Sequence, residues 1–211
     1  MAVTSIWSIK GWIGKVINYA ENPDKTKENN EGQIVEDQSR SAQGLEDVIT
    51  YAVNAEKTRL RQSKAMEMEV VGDSEELMEQ YVSGLNCAPT TAREEMIAVK
   101  KRFGKEDGIV AFHGYQSFAP GECNPAMAHE IGKKLAEELW GSQYQVLIAT
   151  HLDKANHLHN HFVVNSVSFI DGKRYHRTNQ DYRDMRMVSD RLCKEYQLSV
   201  VRQPEQGKGK H

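Results

Sequence analysis

Residues 145–169 read QVLIATHLDKANHLHNHFVVNSVSF, two apolar runs rich in β-branched residues joined by a short polar link. Such runs are strands, and the seven residues between His151 and His159 allow them to fold back as an antiparallel hairpin. Within the second run, His159 and His161 lie two apart. Alternate residues of a strand share a face, so both imidazoles can converge on one ion, with Val163 and Asn165 continuing that face. His151 ends the first run, and the hairpin can bring its ring beside the other two. Three neutral imidazoles suit a first-row divalent ion and leave coordination positions open for water or substrate. Asp153 can orient a ligand ring from behind.

Outward from this hairpin the chain alternates strands and helices. TSIWSI (4–9) reads as a strand ended by Gly11, and WIGKVINYA (12–20) as a helix that Asn22-Pro23 stops. The polar, acidic segment 27–43 lacks periodicity and reads as a loop, followed by a helix over 44–69 with Leu45, Val48, Ile49 and Ala52 on one face. YVSGLN (81–86) and GIVAFHGY (108–115) read as strands. Thr90 and Thr91 can cap TAREEMIAVKKRF, which Gly104 would close, and Asn124-Pro125 opens a helix to Trp140. Residues 181–198 form the last amphipathic helix, and QPEQGKGKH a frayed end. The expected fold is α+β, a mainly antiparallel central sheet flanked by helices, as one domain over 1–200 with a flexible tail over 201–211.

The 211 residues carry 39% hydrophobic and 27% charged side chains, which excludes collagen-like and wholly disordered classes. No apolar run approaches the ~18 residues of a membrane span, and MAVTSIWSIKGWIGK lacks the pattern of a signal peptide. Cys87, Cys123 and Cys193 are odd in number and widely spaced, as expected of reduced thiols in a cytoplasmic protein. The net charge of -3 hides an uneven distribution: residues 21–79 hold 15 acidic and 7 basic side chains, residues 171–211 hold 10 basic and 6 acidic. VINYAENPDKT (16–26) and VITYAVNAEKT (48–58) agree at 7 of 11 positions, too few copies for a solenoid.

THLDKANHLHNHFVVNSV resembles the metal-binding motif of HUH endonucleases, and more narrowly that of the relaxases of plasmids and integrative conjugative elements. Asn160, between the paired histidines, departs from the bulky apolar residue usual there. HGYQSFAPGE (113–122) is similar to the middle relaxase motif and NYAENPDKT to the one that carries the catalytic tyrosine, so the resemblance spans about residues 4–200. It implies metal ligands His151, His159 and His161, with Asn165 at the strand end. The ion expected in function is Mn2+ or Mg2+, with Zn2+, Ni2+ or Co2+ also able to bind. It implies a tyrosine that attacks single-stranded or hairpin origin-of-transfer DNA, giving a 5′-phosphotyrosine and a free 3′-hydroxyl. Tyr19 has the fuller motif, and Tyr51 in the echoed segment is the alternative. Asp153 and His157 are candidates for the general base.

Expected DNA contacts are Lys10, Lys15 and Lys25 around Tyr19, and Lys173, Arg174, His176 and Arg177 with Tyr175 available to stack on a base. Gln116, Ser117 and Asn165 join them by resemblance. Accessory relaxosome proteins and a coupling protein are the implied partners. Relaxases commonly continue beyond the nuclease domain, which makes QGKGKH a candidate truncation point. A rolling-circle initiator would instead use Tyr182 or Tyr196, and a non-catalytic metal-dependent DNA-binding module would use none. The near-neutral total charge favours weak non-specific binding and dependence on a particular DNA site.

Overall fold

The computed structural model describes residues 2–10, 37–58, 81–152 and 158–200. Five strands, β1 (Val3–Lys10), β2 (Val82–Leu85), β3 (Ile109–Ser117), β4 (Val146–His151) and β5 (His159–Asn165), form one sheet in the order β1-β3-β5-β4-β2. Every pairing is antiparallel. The helices are α1 (Asp37–Ala52), α2 (Ala55–Thr58), α3 (Ala92–Arg102), α4 (Pro125–Trp140) and α5 (Asn179–Glu195). The expected α+β fold is therefore the observed one. Two expectations fail: residues 37–43 belong to α1 rather than to a loop, and the helix expected over 44–69 is broken after Ala52 before α2, with 59–69 outside the described residues. Polar composition without apolar periodicity concealed the first turns of α1, whose apolar run begins only at Leu45. The expected helix over 12–20, with Lys15 and Tyr19, lies outside the described residues, as do Lys25, Asp153, His157 and 201–211.

Helices cover both faces of the sheet. On one, Leu45, Val48 and Ala52 of α1 and Ala92 and Met96 of α3 pack on Ile9, Ala111, Leu147, Ala149 and Val163. On the other, Ala128, Ile131, Leu135 and Ala136 of α4 and Met185, Leu192 and Cys193 of α5 pack on Ile6, Phe112, Ile148, Phe162 and Val164. Central strands between two layers are buried throughout, which explains why β4 reads as an unbroken apolar run rather than an alternating one. Local signals set the helix ends. The Asn124 side chain accepts from Met127 N–H ahead of Pro125, and Thr178 and Asp181 form a reciprocal capping box at α5. After α3, Gly104 has φ +61°. There Gly104 N–H bonds the Lys101 carbonyl and Lys105 N–H the Lys100 carbonyl, which closes the helix as a Schellman turn.

Burial on both faces means that each polar side chain of β5 needs protein partners. Asn165 is fully buried; its amide donates to the Met96 carbonyl and to Gln145 Oε1, and its oxygen accepts from the Lys100 ammonium. Burial, with Arg174 nearby, holds the Lys100 pKa down to about 7. Asn160 faces the α4 layer. It donates to Gln116 Oε1 at 3.0 Å and the Ala128 carbonyl at 2.7 Å, and accepts from Thr150 Oγ1 at 2.6 Å. Gln116 in turn donates to Ser189 Oγ at 2.7 Å. Since the Thr150 hydroxyl donates to Asn160, its oxygen accepts from His129 Nδ1 (2.8 Å). His129 Nε2 then accepts from the Ser83 hydroxyl (2.7 Å). This relay crosses β2, β4 and β5 and anchors α4 to them.

Two predictions follow from the relay's geometry. A Cβ on Gly132 would lie 2.5 Å from Asn160 Nδ2, which its bonds prevent from moving aside. Gly132→Ala should therefore destabilise the domain by about 1–3 kcal/mol in urea unfolding, despite alanine's better helix propensity. Burial, then the Lys133 charge, lowers the His129 pKa to about 4. A histidine depressed in the folded state takes up its proton first on unfolding, so its stability is present above pH ~6.5 and is lost as pH falls toward 4. His129→Asn should show a smaller drop in urea midpoint over that interval than the parent chain.

Candidate metal centre

The β4–β5 register pairs His151 with His159 and Ala149 with His161, which sets three imidazoles on the α1 side of the sheet. Ring centroids are 4.2 Å apart for His151–His161, 5.1 Å for His151–His159 and 4.9 Å for His159–His161. One nitrogen from each lies within 4.8 Å of the other two. His151 and His161 are buried and His159 half-buried, so the cluster opens toward His159.

Outer hydrogen bonds determine which nitrogens face inward. His151 Nε2 lies 2.9 Å from the Ala52 carbonyl at the end of α1. A carbonyl can only accept, so Nε2 carries the hydrogen and Nδ1 is the lone-pair nitrogen. His161 Nδ1 meets His113 Nε2 at 2.9 Å, while its Nε2 is buried with no hydrogen-bond partner among the described residues. Burial first, then the neighbouring histidines and Lys57, pushes the His161 pKa well below its ordinary value. A buried nitrogen without a partner costs about 1–3 kcal/mol. A divalent cation would relieve that cost, and neutral imidazoles are the form that binds one. The three residues thus fit a metal ion.

Four further side chains border the cluster. The Tyr51 ring, on the last turn of α1, lies 5.4 Å from the His151 and His161 rings and 6.1 Å from that of His113. Lys57 Nζ sits 4.5 Å from the Tyr51 centroid, and the Lys57 carbonyl accepts from Leu152 N–H at 2.6 Å. His113 is paired in register with Trp7, whose ring meets it edge-on at 4.8 Å. His113, Lys57 and Trp7 were not identified from sequence. His113 opens the HGYQSFAPGE stretch, but only the β1–β3–β5 register brings it beside the imidazoles.

The expected DNA contacts divide differently. Ser117, half-buried, ends β3 opposite His159, at the cluster's end of the sheet. Gln116 is fully buried on the other face, and Asn165 is saturated within the core, so neither offers a group to DNA. Lys10 and the 171–177 turn lie at the opposite end of the sheet from His151 and His159. Arg174 bonds Asp107 at 2.6 Å and Lys173 pairs with Asp171 at 2.8 Å. Arg177 donates to the Ile6 carbonyl, while His176 is exposed. Tyr175 packs edge-on against Phe112, and burial raises its pKa to about 12, so it is not a free stacking platform. Sequence locates charges along the chain but not the counter-ions that neutralise them. Tyr182 and Tyr196 belong to α5 and its C-cap, on the face away from the imidazoles.

Replacing His151, His159 or His161 by Ala should each abolish divalent-ion binding in isothermal titration. Replacing His157 should leave binding measurable.

Residues 65–198, which include all three imidazoles, match the family described as "Relaxase: MobA/VirD2-like, nuclease domain". The chain is 42% identical over 120 residues to "Protein rlx" of Staphylococcus aureus, covering 56% of this chain and 37% of that protein. It is 30% identical over 156 residues to "Group II intron-interrupted relaxase LtrB" of Lactococcus lactis subsp. cremoris, covering 59% and 28%. It therefore spans about a third of the length of these curated relatives. A solved structure described as "Molecular Basis of Vancomycin Resistance Transfer in Staphylococcus aureus" shares the fold at TM-score 0.52 and 15% identity, over 95% of this chain and 96% of that one. Among the described residues no helix is long and apolar enough to cross a membrane. On the match over 65–198, the chain belongs to the MobA/VirD2-like relaxase family through its nuclease domain.

Proposed function

We propose that this domain nicks one strand of an origin of transfer and holds the cut end as a 5′-phosphotyrosine, acting as a site-specific strand transferase in conjugative mobilisation. The observation that carries the reading is the Tyr51 ring 5.4 Å from two of the three clustered imidazoles. The tyrosine oxygen attacks the scissile phosphorus, the bond to O3′ breaks, and the leaving oxygen takes up a proton to become the free 3′-hydroxyl. Attack by such a hydroxyl reverses the step and rejoins the strand without an external energy source. A Mn2+ or Mg2+ ion held by His151, His159 and His161 would polarise the phosphate oxygens and offset the charge gathering there. Lys57, over the Tyr51 ring, adds a cation beside the same phosphate. Asp153 and His157 remain the proposed general bases.

Tyr51 is the nucleophile we favour. Tyr19 is the second reading, supported by its fuller NYAENPDKT motif. Use of Tyr182 or Tyr196, as in a rolling-circle initiator, is disfavoured because α5 packs on the other face of the sheet. Origin DNA in single-stranded or hairpin form, relaxosome accessory proteins and a coupling protein are the proposed partners, in the bacterial cytoplasm.

The test incubates the protein with single-stranded origin DNA and Mn2+ and looks for a covalent adduct on a denaturing gel. Tyr51→Phe should abolish the adduct and Tyr19→Phe should retain it. The reverse pattern moves the nucleophile to Tyr19. DNA binding without an adduct under any divalent ion would make the domain a binding module instead.

A further inference from the structure

We propose that His113 is a positioning residue for the metal centre, holding the His161 ring so that Nε2 is the nitrogen presented to the ion. The proposal rests on reading the three imidazoles as metal ligands. His113 Nε2 lies 2.9 Å from His161 Nδ1, with the two rings stacked at 5.0 Å and 25°. A neutral imidazole that binds through Nε2 must carry its hydrogen on Nδ1, so His161 donates to His113 Nε2 and the His113 hydrogen sits on its own Nδ1. The same bond prevents the His161 ring from turning over. His113 is itself fixed: it is 7% exposed, and the Trp7 and Tyr51 rings meet it edge-on at 4.8 Å and 6.1 Å. His151 is oriented in the same manner, by the Ala52 carbonyl.

The partner's chemistry also matters. Carboxylates commonly hold the outer nitrogen of ligand histidines, and a carboxylate here would add negative charge beside the ion. His113 and the Ala52 carbonyl are both uncharged acceptors. They orient two ligands while leaving the ion's positive charge undiminished toward the phosphate.

The test uses the full 211-residue chain and measures Mn2+ affinity by isothermal titration and the visible spectrum of the Co2+ form. In His113→Gln the amide reaches about as far as Nε2 and can accept the same hydrogen bond; His113→Asn falls short by one carbon, and His113→Phe keeps the bulk without an acceptor. Asn and Phe should weaken binding about 10–100-fold and alter the Co2+ bands, with Gln restoring most of both. Wild-type binding by Asn or Phe, or a Gln variant as weak as Phe, would overturn the proposal. If Phe fails to fold, the contrast between Gln and Asn decides alone. His159→Ala separates the two readings. Unchanged Mn2+ affinity in that variant would remove the metal centre itself. Loss there, with His113→Asn and His113→Phe binding normally, would remove only the role of His113.

Discussion

The pairing of His151 with His159 across β4 and β5 is the contact on which the site depends. Strand side chains alternate, so a one-residue slip of β5 would turn His159 and His161 to the face away from His151 and bring Asn160 onto the α1 side. What resists that slip is the buried polar relay on the far face. Thr150 and Asn160 sit opposite one another, and Gln116, Ser189, His129 and Ser83 extend their hydrogen bonds into β3, α5, α4 and β2. Moving the register would strand several buried polar groups at once, which is costlier than losing apolar contacts. The asparagine that stands where related motifs carry an apolar residue thus serves the geometry of the histidines on either side of it.

The imidazoles differ from an ordinary polar surface because they are aimed. Burial and the neighbouring histidines oppose protonation of His161, and uncharged acceptors hold the outer nitrogens of His151 and His161. Among the described residues, Lys57 is close to the cluster, whereas the basic 171–177 turn is remote and mostly paired with Asp107 and Asp171.

Much of this was legible in the sequence. The hairpin, the face shared by His159 and His161, the α4 cap at Asn124 and the Gly104 stop follow from period and local capping chemistry, and appear where expected. The start of α1 was hidden because its first turns are polar and lack apolar periodicity. Gln116 and Asn165 looked available for DNA because polarity alone does not distinguish a surface group from a buried one with partners across the sheet. His113 could not be assigned without the register of three strands that are not consecutive in the chain. Tyr51 rose in importance for the same reason, since its place beside the imidazoles depends on how α1 crosses the sheet.

Strand β1 is an edge of the sheet and carries exposed Val3 and Trp7. An edge of this kind is a template on which a second chain can extend the sheet. Arg177 takes the Ile6 carbonyl at 3.1 Å and sets a guanidinium against the middle of that strand. Any incoming strand would have to displace this charge before pairing there. A residue that the sequence offers to DNA thereby guards the domain against aggregation.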